Sequence, residues 1–322
     1  MKNSLFLLGA AAVVALSSCS QSEVMEVAEN RAIGFNAFVN NATKAATEFT
    51  GTANPSDIYV IGFYGENNGT LDQKVFNNEP GDYKYFWNVG KDYIFGAYAD
   101  GQQGKVANAT FDPTQSKLTF ENYTPSTKDL VAAISDKITN VQADQGKVSL
   151  NFKHMLAQVG FTFNTKVGEG YTLAISDIQI ENAIKTATGT YTTSAINWTG
   201  GSATGADEAS YSYTDISDLA NGTNTNSEFN LVIPQTLTSS NIKVTFTASI
   251  SGVGIDPAKT REIEVELPTG TVNEWQAGYK YNYTTTINGE DIADELKPIE
   301  FQVEEIPAWE NGAGSDFTIP AE

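Results

Sequence analysis

The residue with the clearest chemistry is Cys19, the only cysteine in a chain of 322 residues. It follows a positively charged start, an apolar run over residues 5–16 and two small serines. That layout is typical of a bacterial secretory signal that ends at a lipobox. The thiol would receive a diacylglyceryl group before the peptidase cuts between Ser18 and Cys19, so residues 1–18 are predicted to be a signal peptide.

The alternative for this first stretch is a membrane-spanning helix. About twelve apolar residues are too few for that, because crossing the hydrocarbon takes about twenty. We therefore expect a lipoprotein that starts at Cys19 and carries palmitate-type chains. Each buried CH₂ contributes ~0.8 kcal/mol, and two or more chains hold a protein firmly where one holds it only marginally. The predicted location is the outer membrane and cell surface.

A second chemical candidate is Arg31, at the end of a polar, acidic leader over residues 19–31. The chain has only one other arginine, Arg261. Arg31 is the candidate position for proteolytic processing, with Lys44 as the fallback. Spacing alone favours the plainer alternative, a surface arginine in an exposed tether, because exposed N-terminal segments are cut without any design.

No pattern in the sequence predicts catalysis. The sole histidine, His154, has no cysteine to activate if Cys19 is acylated, so we interpret it as structural. Among 39 acidic residues, carboxylate pairs arise by chance and none has a distinctive spacing. Sites of the His/Cys type are excluded by count, and no EF-hand loop occurs, so no metal or cofactor is expected.

Composition and net charge limit the classes of molecule that this protein could bind. The chain is 40% hydrophobic and 11% aromatic, with a formal net charge of −20. Such a field repels phosphate backbones, which excludes nucleic acid as a partner. An exported protein with one cysteine has no internal disulfide, so packing, hydrogen bonds or assembly must stabilise it.

The elements that must position these residues are predicted to be strands, separated by turn sequences such as Asn-Gly, Asp-Gly and Pro-Gly. No long stretch keeps a helical period, so the predicted fold class is all-β. The apolar or alternating runs lie at residues 58–64, 93–98, 148–152, 159–163, 244–250, 263–267 and 279–283.

The length after the signal fits two domains. A break in the strand pattern around residues 152–156 places the boundary at His154, which gives domains at 32–153 and 154–322. The polar stretches 200–209 and 221–227 are predicted to be surface loops of the second domain, because they hold too few apolar residues for a core.

The order of several motifs resembles the fimbrillin family, the lipoprotein precursors of pilus subunits in Bacteroides-type bacteria. The resemblance runs nearly from end to end, and no single piece is diagnostic. The first domain carries IGFNAF (33–38), ATKA (42–45), YKYFW (83–87) and YIFGAY (93–98), and the second carries FKHMLAQV (152–159), LVIPQ (231–235), WQAGYKY (275–281) and IPAWENG (306–312).

The resemblance implies two transthyretin-like Greek-key β-sandwich domains in tandem. It also implies maturation by an arginine-specific protease, which in stalk subunits removes the leader and the first strand. In this sequence the scissile bond would follow Arg31, and the displaced strand would be residues 23–29, with Met25 and Val27 inward. A strand from a neighbouring subunit would fill the gap, whereas an anchor subunit would keep its lipid.

Elementary energetics agrees with such an exchange. Burying Met25 and Val27 would contribute ~3–6 kcal/mol, which is comparable to a domain's net stability of ~5–15 kcal/mol. Removing the strand would expose an edge that another strand can satisfy. The stretch Asp-Phe-Thr-Ile near the C-terminus alternates correctly, so Phe317 and Ile319 are the candidate donor residues.

Two function classes remain open from the sequence. The first is a structural and adhesive pilus subunit, with other subunits and a host or bacterial surface ligand as partners. The second is a monomeric surface lipoprotein that binds glycans through exposed aromatics such as Tyr83, Tyr85 and Trp87. The ladder of Tyr279, Tyr281 and Tyr283 could stack on sugars, but same-face tyrosines on one strand more often pack across strands.

Overall fold

The structure is a computed structural model that describes residues 31–39, 58–100, 104–127, 129–203, 209–237, 242–267, 272–293 and 299–306. These residues form strands and one helix of five residues, α1 at Gly289–Ala293. The prediction of an all-β fold is confirmed. Within these ranges no helix is long and apolar enough to cross a bilayer.

In the first half, the strand over residues 148–154 alternates in burial with a period of two, whereas the strands over residues 91–100 and 130–134 are buried on both faces. The described residues of this half form eight strands. They are β1 (Phe35–Val39), β2 (Tyr59–Glu66), β3 (Leu71–Pro80), β4 (Lys91–Asp100), β5 (Ala109–Asp112), β6 (Lys117–Tyr123), β7 (Leu130–Ile134) and β8 (Val148–His154).

The second half contains the remaining fourteen strands of the described residues. They are β9 (Ala157–Lys166), β10 (Tyr171–Glu181), β11 (Ile184–Thr192), β12 (Ile196–Ala203), β13 (Ala209–Ser212), β14 (Ile216–Ala220), β15 (Asn224–Asn226), β16 (Asn230–Val232), β17 (Gln235–Thr236), β18 (Lys243–Gly252), β19 (Ile255–Glu266), β20 (Glu274–Trp275), β21 (Lys280–Asn288) and β22 (Gln302–Ile306).

Two sheets build the first half. A six-stranded sheet has the order β1-β8-β7-β4-β2-β3, and a four-stranded sheet has the order β12-β11-β6-β5. One apolar cluster, with Tyr98, Phe111 and Phe120, holds side chains from both sheets. A second cluster, with Phe35, Trp87 and Phe95, takes the alternate residues of the six-stranded sheet, so both faces of that sheet are buried.

The second half packs two five-stranded sheets around one large core. Their orders are β13-β10-β18-β19, with β14 also on β10, and β15-β9-β21-β22, with β16 also on β9. Tyr281 and Tyr283 are fully buried in this core together with Phe161 and Phe163. Burial of these tyrosines supports the core interpretation of the ladder over a sugar platform. The strands β17 and β20 pair with each other and form a separate two-stranded ribbon.

The hairpin β11–β12 joins the two halves. It follows β10 of the second half, yet β11 pairs antiparallel with β6 of the first, with Tyr191 opposite Leu118. The sheet that closes the first core therefore takes two of its four strands from beyond residue 154. The domain boundary at His154 stays a prediction. The β11–β12 hairpin lies after that residue in the chain but pairs with a strand that lies before it.

The predicted loops 200–209 and 221–227 are wrong in part, although residues 221–222 do form a turn. Residues 200–203 belong to β12, and β15 lies within 221–227 and pairs with β9. Polar side chains do not prevent a strand when backbone hydrogen bonds to a buried neighbour supply the pairing.

Candidate processing site and neighbouring cleft

Arg31 lies in an exposed turn just before β1, and backbone hydrogen bonds hold the residues around it. The Trp87 N–H donates to the Arg31 carbonyl at 2.9 Å, and the Ile33 N–H donates to the Tyr85 carbonyl at 2.7 Å. An Arg31 guanidinium nitrogen lies 3.4 Å from the Trp87 carbonyl. The chain that follows the predicted scissile bond is thus paired with the β3–β4 loop, residues 81–90, and not free.

β1 is an edge strand whose apolar side chains fill the core. It pairs parallel with β8, from Phe35 opposite Val148 to Val39 opposite Phe152. Within the described residues its other side has no partner strand. Ile33 and Phe35 are only 3% and 4% exposed. β1 therefore combines one-sided backbone pairing with deep side-chain anchoring.

Aromatic contacts fix the Phe35 ring. It meets Phe76 and Phe95 edge to face, with ring centroids 5.4 Å apart in both pairs. Edge-to-face pairs of this kind add ~0.5–1.5 kcal/mol beyond the burial of area. Without Phe35, the rings of Phe76 and Phe95 would each lose this edge-to-face contact. Removal of β1 would open an apolar gap there.

The aromatics of the β3–β4 loop do not form the exposed row that the glycan-binding alternative needs. Trp87 is 1% exposed and packs edge to face on Tyr93 at 4.8 Å. Tyr85 is half-buried against Phe76, and its hydroxyl donates to Glu79 at 2.7 Å. Only Tyr83 of the three predicted residues is largely exposed, at 50%.

His154 pairs with a buried carboxylate. Its Nδ1 contacts Asp129 Oδ2, which ties the end of β8 to the residue before β7. Burial raises the pKa of Asp129, and the interaction with His154 opposes that rise in part. Nearby, the Tyr123 hydroxyl donates to Asp100 at 3.1 Å. The arrangement is a buried polar network at the junction of the halves, which fits the structural interpretation of His154.

The described residues contain no group of three or more His, Cys, Asp or Glu side chains placed to hold a metal ion. Several predicted site residues fall outside the described residues, so the structure says nothing of them. They are Cys19, Met25, Val27, Lys44, Phe317 and Ile319.

A cleft of about 1040 Å³ lies between the β11–β12 hairpin and the β17–β20 ribbon. It is lined by residues 191–201 of the hairpin, by 233–236 and 274–278 of the ribbon, and by Lys153 and His154. Sequence analysis missed this cleft, because it depends on a hairpin that crosses between halves. The one local signal was the alternation of Ile196 and Trp198 just after a polar turn.

Several solved structures are similar to this chain. A proposed cell adhesion protein from Bacteroides eggerthii DSM 20697 matches with a TM-score of 0.51 and 13% identity, over 85% of this chain and 95% of that one. One from Bacteroides uniformis ATCC 8492 matches with a TM-score of 0.42 and 15% identity, over 86% and 98%. The fimbrial anchor protein Mfa2 from Porphyromonas gingivalis matches with a TM-score of 0.33 and 10% identity, over 85% and 97%.

The match to the Bacteroides eggerthii protein shows a shared all-β fold. The family model described as fimbrillin-like matches residues 24–305. The chain therefore belongs to the fimbrillin-like family, as the sequence motifs predicted. None of the curated proteins compared with it matches.

Proposed function

We propose that the protein is a pilus subunit that is exported as a lipoprotein and assembled by protease-triggered β-strand exchange. The family supports a fimbrial or adhesive role at the cell surface. Acyl chains on Cys19 would anchor the precursor in the outer membrane. An arginine-specific protease, other pilus subunits and a host or bacterial surface ligand would be its partners.

The observation that carries the proposal is that β1 has a partner strand on one side only, within the described residues, while its Phe35 side chain is buried in the core. Such an edge is a position where strands can be added or exchanged. Phe35 in β1 and Ile33 just before it contribute about 1.5–3 kcal/mol each by burial, and each ladder hydrogen bond adds ~1 kcal/mol. A donor strand with two well-placed apolar residues could offset that loss.

The position of the cut decides which strand leaves. A cut after Arg31 removes the leader with Met25 and Val27 and leaves β1 attached to the subunit. A cut after Lys44 would also free β1, because Lys44 follows Val39 in the chain. β1 is therefore a second candidate for the displaced strand, beside residues 23–29. In either case Phe317 and Ile319 of another subunit would supply the replacement side chains.

The test is N-terminal sequencing of the protein recovered from the cell surface, combined with a gel assay for polymers that resist denaturation. We expect an N-terminus at Ala32 or Ala45 in polymers. Arg31→Ala and Lys44→Ala identify which site is used, and Arg31→Lys separates arginine specificity from charge. Cys19→Ala should abolish labelling by a fatty-acid probe.

An unprocessed N-terminus at Cys19 in normally assembled polymers would overturn the maturation step. Persistent labelling of Cys19→Ala would overturn the lipid anchor. A protein that stays monomeric after processing and shifts on a polysaccharide gel would favour the glycan-binding alternative over the pilus subunit.

A further inference from the structure

The cleft beside the β11–β12 hairpin has an apolar wall that continues a core. Ile184, Ile196 and Trp198 line it while packing partly against the cluster between the sheets of the first half. The Trp198 Nε1 donates to the Met155 carbonyl at 2.8 Å, which fixes the indole in the wall. The opposite wall is the ribbon, where the Trp275 side chain is already buried.

One side of the cleft is the edge of a sheet. Within the described residues β12 pairs only with β11. The Thr192 N–H donates to the Ala195 carbonyl at 2.9 Å at the hairpin's end. The alternation of an antiparallel ladder then directs the amides of Asn197 and Thr199 towards β11, and those of Ile196 and Trp198 away from it. An added strand would pair with this outer row.

The last described strand ends next to the same cleft. β22 runs antiparallel to β21, so its final residue, Ile306, lies opposite Lys280. Lys280 is two residues from Gly278, which lines the cleft. Paired strands lie ~4.8 Å apart, and two residues span at most about 7 Å. The C-terminal segment, residues 307–322, therefore leaves β22 within about 12 Å of the cleft.

We propose that the C-terminal segment of the same chain docks in this cleft as an added strand along β12 before assembly. Its reach of about 50 Å when extended is ample for that. Its apolar residues Phe317 and Ile319 alternate as a strand requires and match the apolar wall of Ile184, Ile196 and Trp198. Docking in cis keeps the donor strand away from its own groove and from other chains. This inference rests on the proposed donor role of the segment.

The test is hydrogen exchange, followed residue by residue on the full lipoprotein in detergent. In the wild-type protein we expect the amides of Ile196 and Trp198 to be protected, although both face away from β11. In the double variant F317D/I319D their exchange should accelerate about tenfold or more, as expected for loss of hydrogen bonds. The amides of Asn197 and Thr199, which bond to β11, serve as internal controls.

Thr318→Asp is the matched control variant, because it adds one charge to the opposite side of the same strand. It should keep Ile196 and Trp198 protected. Fast exchange of these two amides in the wild-type protein, or equal rates in all variants, would overturn the proposal. Protection that grows with protein concentration would also overturn it, because a second copy would then be the occupant.

Polymer formation, measured on the same variants, separates this inference from the proposed function. If F317D/I319D fails to polymerise but its β12 amides are unchanged, the donor role stands and the docking site is rejected. If the amides lose protection while polymers form normally, the docking site stands and the donor role is rejected.

Discussion

The two terminal strands of the described fold, β1 and β22, are both edge strands, and they differ in how they are held. β1 pairs parallel with β8 and carries its core anchor, Phe35, within the strand. β22 pairs antiparallel with β21. Its buried core anchor, Phe301, precedes the strand, and Val303 within the strand is only partly buried against the same core. The anchor of β1 would leave with the strand, whereas that of β22 stays with the core if the strand peels away.

That difference fits different roles for the two ends of the chain in the proposed strand exchange. A strand that takes its anchor with it leaves a gap that another strand must fill. A strand whose anchor stays behind can extend outward while its own domain remains closed. β22 also carries Glu304 and Glu305, and charge on an edge strand opposes uncontrolled pairing. The N-terminal end fits the acceptor and the C-terminal end fits the donor of the proposed exchange.

The largest effects are expected for Phe35→Ala and Phe301→Ala, which remove the buried aromatic anchors of β1 and β22. Each should lower the free energy of unfolding by ~3–5 kcal/mol, because each removes a buried aromatic ring. Denaturant unfolding measures that loss. Only Phe35→Ala should also speed polymer formation after processing, since it weakens the hold on β1. Equal acceleration by both variants would remove the distinction between the two ends.

Asp92 tests a buried charge on β4, in the same sheet as β1 but separated from it by β7 and β8. Burial alone would raise the pKa of this fully buried carboxyl, but hydrogen bonds from the Asn140 N–H, the Lys137 ammonium and the Asn68 N–H outweigh it, so the pKa is lowered. Asp92→Asn should cost ~2–3 kcal/mol at neutral pH, because it weakens several hydrogen bonds to a charged acceptor. Thermal unfolding across pH measures the loss.

The sign of the pH dependence follows from the lowered pKa. The contribution of Asp92 is fully present above the unfolded pKa of ~3.9 and is lost as pH falls through the folded pKa. Asp129 is the contrasting control, because its pKa is raised by burial. Its ionised form costs stability at neutral pH, so acid should relieve that cost. Asp92→Asn should therefore make the protein lose less stability on acidification than the wild type does, whereas Asp129→Asn should make it lose more. The same pH profile of stability in both variants would contradict the opposite pKa shifts of Asp92 and Asp129.

Tyr85→Phe removes the hydroxyl that donates to Glu79. We expect a loss of ~1 kcal/mol in the free energy of unfolding, together with looser pairing of the Tyr85 carbonyl to the Ile33 N–H. Tyr83→Phe, at an exposed position in the same loop, should change nothing measurable by denaturant unfolding. An equal loss in both would show that the loop does not hold the start of β1.

Arg31→Ala should have the smallest effect on stability, within ~0.5 kcal/mol, because the residue is exposed. Its effect on maturation should be the largest of the series if Arg31 is the scissile site. Unfolding of the precursor and sequencing of its N-terminus measure the two effects separately. A destabilised precursor would mean that Arg31 acts through the fold and not through cleavage.

Local patterns in the sequence predicted much of the strand inventory. The alternation in residues 148–152 and 244–250 reappears in β8 and β18, and the tyrosine ladder lies in the core on β21. Period-two burial is a local property, so such strands can be identified without knowing their neighbours. Arg31, as an isolated arginine before a strand, was also visible in the sequence alone.

Pairing between distant strands decided the rest. The end of β12 and the whole of β15 were predicted as loops because they hold few apolar residues, yet each strand has a backbone partner, in β11 and β9. Trp87 appeared to be a surface aromatic until the fold placed it against Tyr93. The cleft exists only because the β11–β12 hairpin crosses to β6. The sequence by itself determined which residues favour strands, because that depends on near neighbours, and it identified Arg31 as the predicted cleavage position. Sheet order, the one-sided pairing of β1 within the described residues and the position of Ile306 opposite Lys280 depend on contacts between residues far apart in the chain, and only the tertiary structure decided them.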